Sequence, residues 1–171
     1  MTTIESEATN NRELFEGYAP GQEKPLASYG VLMSVFSSLA GGFALWFRRS
    51  GRELPERIDG RDFALLTLAS HKAARLISKD KVTSAVRAPF AEYQGAGGPG
   101  EVNETPRGRG LRQVIGELLV CPYCLGMWTS AALTAGLLVA PRLTRWVSSV
   151  LAMFFGADVL QIAYKKAEDT L

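Results

Sequence analysis

Hydrophobic positions in this chain gather into long unbroken runs instead of alternating with polar ones. Leu26 to Phe47 gives 22 residues without a charge, and Leu118 to Ala140 gives 23. Trp146 to Tyr164 adds 19 more, with Asp158 as the single charge. About 20 apolar residues cross the hydrocarbon core of a bilayer, so each run predicts a spanning helix. Trp46 and Phe47 close the first run like interfacial anchors, and Arg48-Arg49 stop it. Ser34, Ser37, Ser38, Gly41 and Gly42 give that run a stripe of small residues, the kind that lets membrane helices approach closely.

A fourth segment has a different pattern. Asp62 reads as an N-cap for a helix from Phe63 to Ser78, of which only the first eight residues lack charged or titratable groups. His71, Lys72 and Arg75 follow, while Leu65, Leu66, Ala69, Ala73, Leu76 and Ile77 keep an apolar face. Such a helix is too short and too charged to cross alone and is expected to lie half-inserted at the interface, with a tilted crossing as the alternative. The fold class is therefore all-α: a small multi-pass membrane helical bundle of three spans plus one half-inserted or tilted helix. The helices are placed at about 26–47, 62–78, 114–140 and 143–166.

The segments between are polar. Residues 1–24 carry five glutamates against Arg12 and Lys24 and read as a disordered tail. They lack the basic n-region of a signal peptide, and residues 25–171 form the membrane domain. Residues 91–110 hold six glycines and two prolines, the composition of a flexible loop.

Apolar content of 47% and net charge of +2 are ordinary totals; only the distribution of charge is informative. If the 62–78 helix does not cross, residues 48–117 lie on one side with most of the arginines. The positive-inside rule then puts the N-terminus outside and the long loop and C-terminus in the cytoplasm, in a multi-pass inner-membrane protein. Two cysteines are no disulfide framework. No Ser-His-Asp order, P-loop, aspartate-rich metal motif or nucleic-acid module is present, and nucleic acid is excluded as a partner.

Candidate chemistry centres on Cys121-Pro-Tyr-Cys124, where the third run begins. Both thiols fall in the first turns of a helix, where the positive end of the dipole favours thiolates, and Pro122 suits that first turn. The pair fits a redox dithiol, a structural role, or two of four zinc ligands completed by His71, Asp158 or a second subunit. Asp158 is an ionisable residue in a span and needs a partner, expected among Arg75, His71 and Gln161. His71 and Asp158 are also the candidates for catalytic acid and base. Arg75, Arg87, Arg109 and Arg112 are candidates for holding a lipid headgroup or phosphate.

Three stretches carry a family resemblance: Arg75-Leu-Ile-Ser-Lys-Asp80 continuing to Arg87-Ala-Pro-Phe90, Gly108-Arg-Gly-Leu-Arg112 leading to Gly116-Glu-Leu-Leu, and Cys121-Pro-Tyr-Cys-Leu-Gly-Met-Trp128. Together, over about residues 60–165, the chain resembles a bacterial family of small membrane proteins known as domain of unknown function 1360. The resemblance implies a multi-pass membrane fold, and some bacilli relatives are called sporulation proteins. It adds Asp80, Gly126 and Trp128 to any shared site, with Gly126 admitting a helix or ligand to the backbone.

Three functions follow as expectations. The first is a membrane protein with a cytoplasm-facing polar site that binds a metal ion or an anionic lipid group. The second is a membrane enzyme, either a dithiol oxidoreductase or one that transforms a lipid or isoprenoid. The third is a structural or assembly partner. Membrane lipids, a second copy or another membrane protein are the partners these readings imply.

Overall fold

The computed structural model of the chain describes residues 18–19 and 24–170. The tail expected over residues 1–24 lies outside them except for Tyr18, Ala19 and Lys24. Six α-helices and one hairpin follow in order. Helix α1 is Leu26–Arg49 and α2 is Gly60–Ser78; a 3-10 turn at Lys81–Thr83 leads into the short α3, Ser84–Arg87. Strands β1 (Ala91–Ala96) and β2 (Val102–Pro106) precede α4 (Leu111–Val120), α5 (Pro122–Val139) and α6 (Pro141–Glu168).

Helices α1, α5 and α6 are long and apolar enough to cross a membrane, at the three places predicted from the runs. Only 6% of each apolar window is buried within the chain. Val35, Leu39, Met153 and Leu160 point outward, while Asp62, Ser70, Lys72, Ser148 and Arg87 are buried. This distribution suits a bundle whose outer surface meets lipid and whose polar groups must find partners inside.

Polar contacts fix how the helices run. Tyr29 near the start of α1 donates to Glu117 at the end of α4, and Phe36 meets Trp128 of α5 edge-on, centroids 5.0 Å apart. Past the end of α1, Arg52 reaches the Val139 carbonyl at the end of α5. Helix α1 is thus parallel to α5. Helix α2 pairs Asp62 with Arg145 and Lys72 with Asp158, which makes it parallel to α6. The start of α1, the ends of α2 and α6, the hairpin, α4 and the start of α5 all share one end of the bundle. The opposite end holds the 50–59 connection and the α5–α6 turn.

Contacts within the bundle refine the expected layout. Helix α2, over the segment expected to be half-inserted or tilted, packs between α5 and α6, about 28 Å of helix, and α6 supplies partners for its charges. The start of α1 lies beside Glu117, at the same end of the bundle as the end of α6. The N-cap is Asp59, whose side chain accepts from the Arg61 N–H at 2.8 Å, which leaves Asp62 for Arg145.

The stretch expected as a flexible loop is an antiparallel hairpin, with Ala91 opposite Pro106 and Ala96 opposite Val102. Its glycines supply turn geometry: Gly100 sits at φ 76° and Gly95, at the bulge, at φ 142°, conformations other residues avoid. Val102 N–H bonds the Lys79 carbonyl and Lys81 N–H bonds the Gly100 carbonyl, tying the hairpin to the end of α2. A Cβ on Gly116 would collide with the Phe90 carbonyl oxygen, so α4 approaches the preceding backbone where only glycine fits. The third run is interrupted as well. Cys121 is extended (φ −104°, ψ 104°) between α4 and α5, because the ring of Pro122 disfavours helical backbone in the residue before it.

Candidate functional site

That extended residue builds the thiol pair. Cys121 caps α5 with its sulfur, which accepts the Cys124 N–H at 3.2 Å. One turn later Cys124 Sγ lies 2.6 Å from Cys121 Sγ and donates to it; both thiols are free. Cys121 is half-buried and Cys124 exposed. Pro122 takes the first helical position, where its missing N–H has no intrahelical acceptor to lose. Leu125, buried, pins the turn from below, and Tyr123 stands almost fully clear of the protein. Two donors therefore converge on the Cys121 sulfur.

Next to this pair, Glu117 accepts from the Tyr29 hydroxyl and, at 3.1 Å, from Gln113 Nε2. Among the described residues no lysine or arginine pairs with it.

A second polar cluster lies between α2 and α6. Lys72 Nζ is 2.6 Å from Asp158 and 3.8 Å from Asp80, and it sits 3.7 Å above the Phe154 ring. Lys72 is the partner of Asp158 that the sequence reading missed in favour of Arg75, His71 and Gln161. A signal existed. Leu65, Ala69, Lys72 and Leu76 share one helix face, so a lone cation in that stripe required a carboxylate, and Asp158 is the only one in the apolar runs.

His71 is exposed on α2 and packs edge-on against Phe155, centroids 5.2 Å apart. No hydrogen bond joins it to Asp158, so the expected acid–base pair is not assembled. Nor is the expected zinc set. Among the described residues no three of His, Cys, Asp and Glu gather where they could hold a metal ion. The cysteines are together, His71 faces a phenylalanine, and Asp158 is held by Lys72. The donors Cys121, Cys124, His71 and Asp158 of one chain thus do not fit a shared ion.

Three of the four candidate arginines already have partners within the chain. Arg87 has no exposed surface; its guanidinium bonds Glu104, the Ile77 and Asp80 carbonyls and the Thr83 and Ser84 hydroxyls. Arg75 bonds Glu101, and Arg112 bonds the Pro89 carbonyl at 2.8 and 2.7 Å. Arg109 is exposed on the turn before α4. Trp128 packs on Phe36 and so seats α1. A Cβ on Gly126 would meet nothing within 4 Å, and its carbonyl accepts from Ser70; the tight glycines within helices are Gly116 and, against Thr144, Gly136.

A family profile described as "Protein of unknown function (DUF1360)" matches residues 65–164. The chain belongs to the DUF1360 family. The matched span takes in the thiol pair, the hairpin and the Lys72–Asp158 contact, and it leaves α1 outside. A relative in Bacillus subtilis (strain 168) called Sporulation protein YjcA is 32% identical over 112 residues, covering 64% of this chain and 95% of the relative. UPF0713 protein YngL of the same organism is 27% identical over 111 residues, covering 63% and 82%. No solved structure matches the chain.

Proposed function

We propose that this DUF1360 member is an inner-membrane dithiol protein in which Cys121 and Cys124 exchange with disulfides at one membrane surface. The observation that carries the reading is the pair itself: two free sulfurs 2.6 Å apart, one of them exposed, with no third ligand assembled beside them among the described residues. In exchange, the Cys121 thiolate attacks a substrate disulfide and expels one thiolate. Cys124 then attacks Cys121 Sγ in the mixed disulfide and expels the second, leaving a Cys121–Cys124 disulfide and a substrate reduced by two electrons. A thiol reductant such as glutathione resets the pair. The protein crosses the membrane four times, with α2 carried across by α6, and the start of α1 and the end of α6 lie on the thiol side. We place that side in the cytoplasm, where the thiol pool keeps cysteines reduced.

The test is a redox titration of the detergent-purified full chain in glutathione buffers, read by maleimide gel shift and accompanied by metal analysis. The expected result is a single two-electron transition between roughly −270 and −120 mV, the range of exchange-active pairs, abolished by Cys121→Ser or Cys124→Ser. Failure to form an intramolecular disulfide in any buffer would overturn the reading. So would stoichiometric metal that disappears in the double serine variant.

A further inference from the structure

The end of the bundle opposite the thiols takes its positive charge from arginine alone. Arg48 and Arg49 close α1, Arg52 and Arg57 lie in the connection, Arg61 is in the first turn of α2, and Arg142 is in the first turn of α6. No lysine occurs in residues 48–71 or 140–164. A seventh arginine, Arg145, is held by Asp62. The other six are exposed, and among the described residues none of them forms an ion pair. Glu53 and Glu56, the exposed acids of the connection, pair with none of them either. At the thiol end, by contrast, Arg75, Arg87 and Arg112 are engaged within the chain.

Tryptophans fix the depth of these guanidiniums in a membrane. Trp46 near the end of α1 and Trp146 near the start of α6 are 49% and 74% exposed, and such side chains settle at the headgroup level. Arg48 and Arg49 follow Trp46 outward along α1, and Arg142 lies one turn outward from Trp146 along α6. The offset is about 3–6 Å on both helices, which brings the arginines to the phosphates.

Arg52 brings these elements together. Gly51, at φ 68°, turns the chain past the end of α1, and Arg52 Nη1 lies 3.5 Å from the Val139 carbonyl oxygen at the end of α5. Arg142 follows across the Ala140 turn, its Cα within about 11 Å of that of Val139 by chain length. The Val139 contact engages one nitrogen of the Arg52 fork and leaves the others free. A guanidinium offers phosphate oxygens two parallel N–H donors, whereas an ammonium acts as a point charge, and this end uses only the former.

We propose that Arg52 and Arg142 hold the phosphate of one anionic phospholipid in the leaflet opposite the thiols, with Arg48 and Arg49 adding charge around it. Its acyl chains run past Leu45 and Val147, exposed just inside the tryptophans.

The experiment is tryptophan quenching in bilayers. The full chain, carrying Trp128→Phe so that Trp46 and Trp146 alone report, is placed in phosphatidylcholine vesicles with rising fractions of chain-brominated phosphatidylglycerol. Brominated phosphatidylcholine gives the unselective contact. Phosphatidylglycerol is expected to be preferred beside the tryptophans by about tenfold, falling to about twofold or less in Arg52→Gln, Arg142→Gln. Arg52→Lys with Arg142→Lys keeps the charge, loses the fork and falls between. Lys165→Gln with Lys166→Gln removes as many charges at the other surface and keeps the preference in full. Either single glutamine variant serves, with a smaller loss, if the double variant does not reconstitute. A wild type with no preference overturns the proposal. So does an equal fall in the arginine and lysine variants, which would mean general attraction by net charge. Loss of the preference in excess inorganic phosphate also overturns it, since the site would then take the soluble anion.

Discussion

A guanidinium with no exposed surface must find an acceptor for each donor direction or it destabilises the fold around it. Arg87 finds them on the end of α2, the 3-10 turn and β2, and so joins the hairpin to the bundle. Its carboxylate partner Glu104 keeps only 6% side-chain exposure, so removing the arginine strands a buried charge. Arg87→Met should lower stability by roughly 3–5 kcal/mol, read as an earlier thermal midpoint in detergent, and should expose 91–106 to proteases. Unchanged midpoint and cleavage pattern would refute that role. In the sequence Arg87 read as a candidate for holding a lipid headgroup or phosphate, because its partner lies 17 positions away across a glycine-rich stretch. The thiol pair, by contrast, was legible: proline, spacing and the edge of an apolar run are all local signals. Which sulfur accepts and which carboxylate attends them was not, since Tyr29 is 88 residues from Glu117.

Helix α2 carries an acid near its start and a base near its end, and α6 carries the reverse. Asp62 meets Arg145 through two 2.8 Å contacts and Lys72 meets Asp158 at 2.6 Å. Charges that argue against a membrane position when one helix is read alone become cross-links when two parallel helices are read together. Lys72→Met alone should cost about 2 kcal/mol, less than a fully buried pair because Asp158 retains 37% exposure. Lys72→Met with Asp158→Leu should cost less than the two single changes added, by a double-mutant cycle on thermal unfolding. Strict additivity would show that the contact couples nothing. The hairpin teaches the converse: six glycines suggested disorder, but several are fixed by positive φ and by the close pairing of β1 with β2. Composition alone cannot separate a tight turn from a loose loop.

Taken whole, the molecule is polar within and apolar without, and the three long runs predicted that. Crossing number was the part a single sequence left open, because it depends on which helix supplies the counter-charge to α2. On a Cys121→Ser, Cys124→Ser background, single cysteines at Glu56 and Glu168 should be labelled by impermeant maleimide from opposite membrane faces; labelling from one face would restore three crossings. Helices α5 and α6 differ in length, 18 residues against 28, yet Ala140 alone separates them. Starting from one turn, the longer helix outruns the shorter by ten residues, about 15 Å. Level with the thiols is Asp158, and beyond it α6 rises as a post whose last turns carry Lys165, Lys166 and Glu168, with Asp169 at its cap. The pair therefore sits in the lee of a mast, and a bulky folded protein sliding in along the membrane meets the mast first. Access is left to protruding loops, flexible tails and small thiols that arrive from the open flank.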